Sequence, residues 1–172
     1  MKESTWIRLD QSARSLFPWL VTMILVLAGT VPLRLPGFSA IMPALGLISV
    51  YHFTVRFPRL LPFWATFIIG VFQDFLIGTP PGVSAIVLLA VQGVIHLRYR
   101  TFAKADFATG WGLFMAVSAV AFILGWSLTS IGFMTLLDPS PAIFQYLVTC
   151  ACYPFLAWVM LKGQVAFQEP GL

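Results

Sequence analysis

Charge is what this sequence has least of. Of its 172 residues, 9% are Asp, Glu, Lys or Arg, and it holds two histidines and two cysteines. A soluble domain carries about 25% charged residues, so a chain this poor in charge is not built to be surrounded by water. The shortage also removes whole classes of chemistry. His52 and His96 stand near the same ends of their apolar runs, away in depth from the acid Asp74, and no Ser-His pair, paired carboxylates or metal-ligand spacing can be assembled from what remains. No catalytic role and no cofactor are expected. Cys150 and Cys152 are two residues apart, which on a helix turns them to nearly opposite faces; they read as small packed thiols rather than a disulfide. Linkers, low-complexity tracts and internal repeats are missing too, and residues 1–172 read as one domain.

What is present is apolar: 59% of the residues are hydrophobic and the mean hydropathy is +0.92. A membrane-crossing helix needs roughly 20 apolar residues, so the expected fold is an all-α, polytopic membrane domain of about six spans, with no room for a soluble enzyme beside them. Charges, prolines and glycines delimit the runs at about 17–35, 38–55, 61–79, 82–98, 107–137 and 141–161. Because the link PLRLPG is so short, the first two runs could instead form one re-entrant unit. Pro32, Pro43 and Pro154 lie within runs, where each removes a backbone hydrogen bond and is expected to kink or break its helix.

The basic residues orient these spans. Short cytoplasmic loops concentrate Lys and Arg. With the N-terminal segment MKESTWIRLDQSARSL inside, Lys2, Arg8, Arg14, Arg56, Arg59, Arg98, Arg100, Lys104 and Lys162 fall on the cytoplasmic side, leaving Arg34 alone outside. Both termini are therefore expected in the cytoplasm. The N-terminal segment carries both charge signs and no small-residue cleavage site follows it promptly, so it reads as a retained segment rather than a signal peptide. The net charge of +4 is accounted for by orientation and anionic headgroups of membrane lipids, with no reason to invoke nucleic acid.

Against this background GVFQDFLIGTPPGVSA, residues 70–85, stands out, because Asp74 is the one acidic residue inside any expected span. Thr66, Gly70, Asp74 and Gly78 recur every four residues and share a small, polar helix face. Small residues let another backbone approach closely, and a carboxyl group at such depth should point into the bundle. The turn GTPPG makes the third and fourth spans an antiparallel hairpin, with Asp74 about one turn below it and near the start of the fourth helix. The free N–H groups and positive dipole end there could hold a carboxylate, with Ser84 or Thr79 as hydroxyl donors. Arg34 is a second candidate partner; a protonated Asp74, or one that meets another protein, remains open. Gln92 and His96, one turn apart, read as interhelical hydrogen bonding. The fifth span is rich in small and hydroxyl residues from Gly110 to Gly132, suited to close packing within the chain or against a partner.

The stretch GVFQDFLIGTPPGVSAIVLL resembles the signature of the MreD family of rod shape-determining proteins, a Q-D-x-x-x-G-x-P-x-G pattern carried here by Gln73, Asp74, Gly78, Pro80 and Gly82. Length and span number resemble that family as well; Pro81 departs from it, where leucine is commoner. The resemblance implies a non-enzymatic inner-membrane component of the elongasome that binds the scaffold MreC and helps couple MreB filaments to the RodA glycosyltransferase and its penicillin-binding transpeptidase during lateral peptidoglycan synthesis. It also implies a fold similar to the S-components of energy-coupling-factor transporters. That similarity supplies the alternative, a small-solute-binding subunit with Asp74, Gln73 and Arg34 as its polar groups.

Overall fold

A computed structural model describes residues 19–29, 42–58 and 61–168. Among them every regular element is a helix: α1 (Trp19–Gly29), α2 (Leu45–Arg56), α3 (Phe63–Ile77), α4 (Val83–Leu97), α5 (Tyr99–Ala103), α6 (Phe107–Gly132) and α7 (Ser140–Gln168). Arg34 and Pro32 lie outside the described residues, and with them the expected Asp74–Arg34 pair.

The helix α2 is the axis of the bundle. Nine of its twelve residues, Gly46 through Thr54, are buried, the condition of a helix enclosed on all sides. The α3–α4 hairpin packs on one side of it and α7 on another, and α6 closes the circuit by packing on both α4 and α7. One end is held by an aromatic cluster. Tyr51 of α2 meets Phe114 of α6 at 5.0 Å and Tyr153 of α7 at 5.7 Å, edge to face, while Phe114 and Tyr153 stack at 4.1 Å. The Tyr51 hydroxyl donates to the Gly110 carbonyl at 3.2 Å. At the other end α7 anchors the chain entering α2: Thr149 Oγ1 accepts from the Ala44 N–H at 3.0 Å, and Gln145 Nε2 donates to the Met42 carbonyl at 3.1 Å.

Two helices, α6 and the Ser140–Met160 part of α7, are long and apolar enough to cross a membrane. Only 17% of the α6 window is buried, so its apolar surface faces outward, unlike the core helix of a soluble protein. Phe75, Leu97, Ile123 and Phe155 are likewise large and exposed, which marks a membrane or partner surface. The hairpin is shorter than its apolar runs suggest. Each arm has 15 helical residues, about 22 Å of rise against a hydrocarbon core of about 30 Å. The reason is local: Pro62 starts α3 in an extended conformation, and Gly78 ends it in the left-handed region with φ 77°.

The prolines behave differently from one another. Pro43 lies ahead of α2, whose first residue is Leu45, whereas α7 runs unbroken through Pro154. Both cysteines are free and Cys150 is buried; its Sγ lies 3.7 Å from Ser118 Oγ across the α6–α7 contact.

Candidate functional site

The site is a knot at the turn end of the α3–α4 hairpin. Its floor is a close approach of two backbones. A Cβ on Gly70 would land on the Cα of Ala85 and 2.5 Å from its amide nitrogen, so glycine is what lets α3 and α4 touch there. One turn further on, Asp74 is 1% exposed. Its Oδ1 accepts from Thr79 Oγ1 at 2.7 Å and from the Ser84 N–H at 2.9 Å, and its Oδ2 accepts from the Gly82 N–H at 2.8 Å. The Asp74 backbone carbonyl also takes part, accepting from the amides of Gly78 at 2.9 Å and Thr79 at 3.2 Å.

The carboxylate therefore caps the start of α4 while its own backbone carbonyl closes the end of α3. The first N–H groups of α4 have no partner within their own helix, and a negative group beside them also meets the positive end of the helix dipole. The sequence expectation that α4 and a hydroxyl would hold Asp74 is matched by these contacts, with one change of detail. Ser84 contributes its backbone N–H, not its hydroxyl, and Thr79 alone supplies the O–H.

No protein-family model, curated protein or solved structure matches the chain.

Of the remaining motif residues, Gly78, Pro80 and Gly82 shape the knot and Gln73 does not. Gly78 and Gly82 have φ of 77° and 101°, a region where side chains cost roughly 1–2 kcal/mol. Gly82 in that conformation turns its N–H back toward Oδ2. Pro80 sits against α6, since a Cβ on Gly132 would come within 2.6 Å of Pro80 Cγ; the turn is thereby pinned to a third helix. Gln73 points elsewhere, over α2. A Cβ on Gly46 would lie 2.5 Å from Gln73 Oε1 and 2.9 Å from Val26 Cγ2, so Gly46 makes room for α1 and α3 together. Gly46, Ala85 and Gly132 are contacts that the sequence reading does not single out as site residues; a lone glycine inside an apolar helix is the available signal of close backbone approach for the first and last.

Other predicted polar residues stay apart from the knot. Gln92 is fully buried on α4 and its Nε2 donates to the Leu61 carbonyl at 2.7 Å, tying α4 to the start of α3. His96 is exposed, packs against Phe63 at 5.0 Å and bonds the Gln92 carbonyl at 2.9 Å. Among the described residues no group of three or more His, Cys, Asp or Glu is placed to hold a metal ion.

Because nothing lies within 4 Å of a Cβ built at Gly78 or Gly82, substitution there isolates the conformational cost. Gly78→Ala and Gly82→Ala are each expected to destabilise the bundle by about 1–2 kcal/mol, and Gly78→Asn by less, as asparagine tolerates the left-handed region best among side chains. Equilibrium unfolding in mixed detergent micelles measures this; three variants indistinguishable from the parent would show that the turn is not under backbone constraint.

Proposed function

We propose that this protein is a multi-pass adaptor of the bacterial inner membrane, a non-enzymatic, MreD-like component of the lateral wall-building machinery. In this reading α1, α2, α3, α4, α6 and α7 are the six spans, both termini are cytoplasmic, and the hairpin turn faces outward. The short arms of α3 and α4 are accommodated by local thinning of the bilayer. The partner is a single-pass scaffold of the MreC type, and MreB, RodA and the penicillin-binding transpeptidase are reached through it.

One observation carries the reading. Both oxygens of Asp74 are engaged by three donors of its own hairpin, so the group that an enzyme or proton carrier would leave free for chemistry is committed to shape. Asp74, Gly78, Pro80 and Gly82 of the Q-D-x-x-x-G-x-P-x-G pattern each have a geometric part in that shape, while Gln73 packs over α2; fixed shape of this kind is what an assembly element requires. The outward apolar faces of α6 and α7 leave surface for a partner helix.

The test is made in a rod-shaped bacterium whose own copy has been replaced by this chain. Affinity purification from its membranes is expected to recover the single-pass scaffold, and Asp74→Ala, at equal protein level, is expected to lose that recovery and turn rods into spheres. Normal shape with normal recovery would overturn the proposal.

A further inference from the structure

Cations gather at the end of the molecule opposite the hairpin turn. Arg56 closes α2, Arg98 joins α4 to α5, Arg100 lies within α5 and Lys104 follows it. All four are exposed. The anchor of this corner is Phe102, which is 6% exposed and meets Tyr51 of α2 edge to face at 6.0 Å. It holds α5 against the bundle, where the short helix packs on both α2 and α4. Positions two before and two after a helical residue point away from it. Arg100 and Lys104 are therefore turned outward from the side that Phe102 buries, and, four apart, they share that outward face.

The residues between these cations are not those of a surface made for water alone. Leu97 is 84% exposed, Tyr99 39% and Phe107 61%, and they flank the same short helix on both sides. Water suits the cations but not Leu97, and hydrocarbon suits Leu97 but not the cations. Both are satisfied together at the boundary of a bilayer, where Lys and Arg reach phosphate, aromatic rings sit at headgroup level and aliphatic groups enter the acyl region. Two like charges held on one helix face repel each other, and a negative group placed between them turns that repulsion into attraction.

We propose that the α5 corner is a binding site for one anionic phospholipid, whose phosphate is received by Arg100 and Lys104 while its acyl chains lie beside Leu97. Arg98 and Arg56 add attraction from the bundle side. A basic residue near a membrane surface raises affinity for anionic lipid roughly fivefold, so a pair on one face gives a preference that a single scattered cation does not. The site is local, distinct from the general attraction of a cationic chain to a negative leaflet, and it is independent of the hairpin's part in assembly. Charge complementarity alone would also admit an acidic protein; the exposed Leu97 and Phe107 beside the cations favour a lipid.

The experiment titrates the purified full-length chain in nonionic detergent with phosphatidylglycerol and with phosphatidylcholine, read by native mass spectrometry. Phosphatidylglycerol is expected to be retained saturably, roughly tenfold or more tightly than phosphatidylcholine. Arg100→Gln combined with Lys104→Gln should weaken phosphatidylglycerol retention roughly 10- to 30-fold and leave phosphatidylcholine unchanged. Both side chains are exposed, so this variant is expected to unfold as the parent does, which is measured alongside. Lys2→Gln combined with Arg8→Gln removes the same charge from outside α5 and should leave retention within about twofold. Equal retention of the two lipids by the parent would overturn the proposal and leave an acidic protein as the partner of the patch. Undiminished phosphatidylglycerol retention by the α5 variant, or an equal loss in the Lys2 and Arg8 variant, would overturn it as well. Scaffold recovery is scored separately, so failure of the adaptor reading and failure of this site are distinguishable.

Discussion

Asp74→Ala is expected to cost the bundle about 3–5 kcal/mol, because three donors lose their shared acceptor at about 1–3 kcal/mol each. The deletion leaves without an acceptor three donors of half-buried residues that share this carboxyl group: the Thr79 hydroxyl and the amides of Gly82 and Ser84. Two of these are backbone groups that cannot turn away to find water. A buried donor left without a partner costs about 1–3 kcal/mol, and the dipole of α4 loses its counter-charge as well. Asp74→Asn keeps one acceptor oxygen but presents an NH2 group to a donor, so it should fall between, at about 1–3 kcal/mol. Thr79→Ala removes one hydroxyl and leaves the carboxylate with both amides; about 1 kcal/mol is expected. The ordering Ala, then Asn, then Thr79→Ala is measured by equilibrium unfolding in mixed micelles. Asp74→Ala within about 1 kcal/mol of the parent, no more than the net worth of a single hydrogen bond, would show that the carboxylate is not what holds the turn.

Much of this knot is legible in the sequence because its parts are local. Thr66, Gly70 and Asp74 follow the helical period, and all three are buried. Glycines and prolines between Gly78 and Gly82 announce a tight turn, and a turn that tight brings Ser84 back beside Asp74. The same locality explains where pattern and geometry part. Whether Ser84 offers its hydroxyl or its amide depends on the backbone course from the turn into α4, which a residue pattern does not encode. Lengths of apolar runs overstate the helices, since a residue that is apolar enough to continue a span can still sit in the turn, as Gly78 and Thr79 show.

Long-range packing is legible in kind but not in place. The small residues of α6 are expected to pack closely somewhere, and they divide: Gly132 is pressed by Pro80 and a Cβ on Gly125 would lie 3.6 Å from Val87 Cγ2, while a Cβ on Gly110 or Gly112 would meet open space. Nothing along α6 itself distinguishes these halves; the difference is made by the α3–α4 turn, some fifty residues earlier, arriving at one end. The links from Thr149 and Gln145 back to residues 42–44 are of the same type. Each joins residues more than 100 positions apart, and each satisfies a backbone group ahead of α2.

Gly70 sets the second large effect. Its Cα hydrogens face the backbone of Ala85, not a flexible side chain, so an added atom cannot be absorbed by a rotamer change and the two helices must part. Gly70→Ala is expected to destabilise by about 1–3 kcal/mol, and Gly70→Leu by more than about 4 kcal/mol, in the range reserved for gross core disruption. Parting the helices also moves the amides of Gly82 and Ser84 away from Asp74, since α4 carries them. The two positions should therefore be coupled: Gly70→Ala combined with Asp74→Ala is expected to cost less than the sum of the single changes, by about 0.5–3 kcal/mol. Additive costs in that double-mutant cycle would mean that the backbone contact and the carboxylate cap act independently, and the hairpin would then be two separate features instead of one mechanical unit.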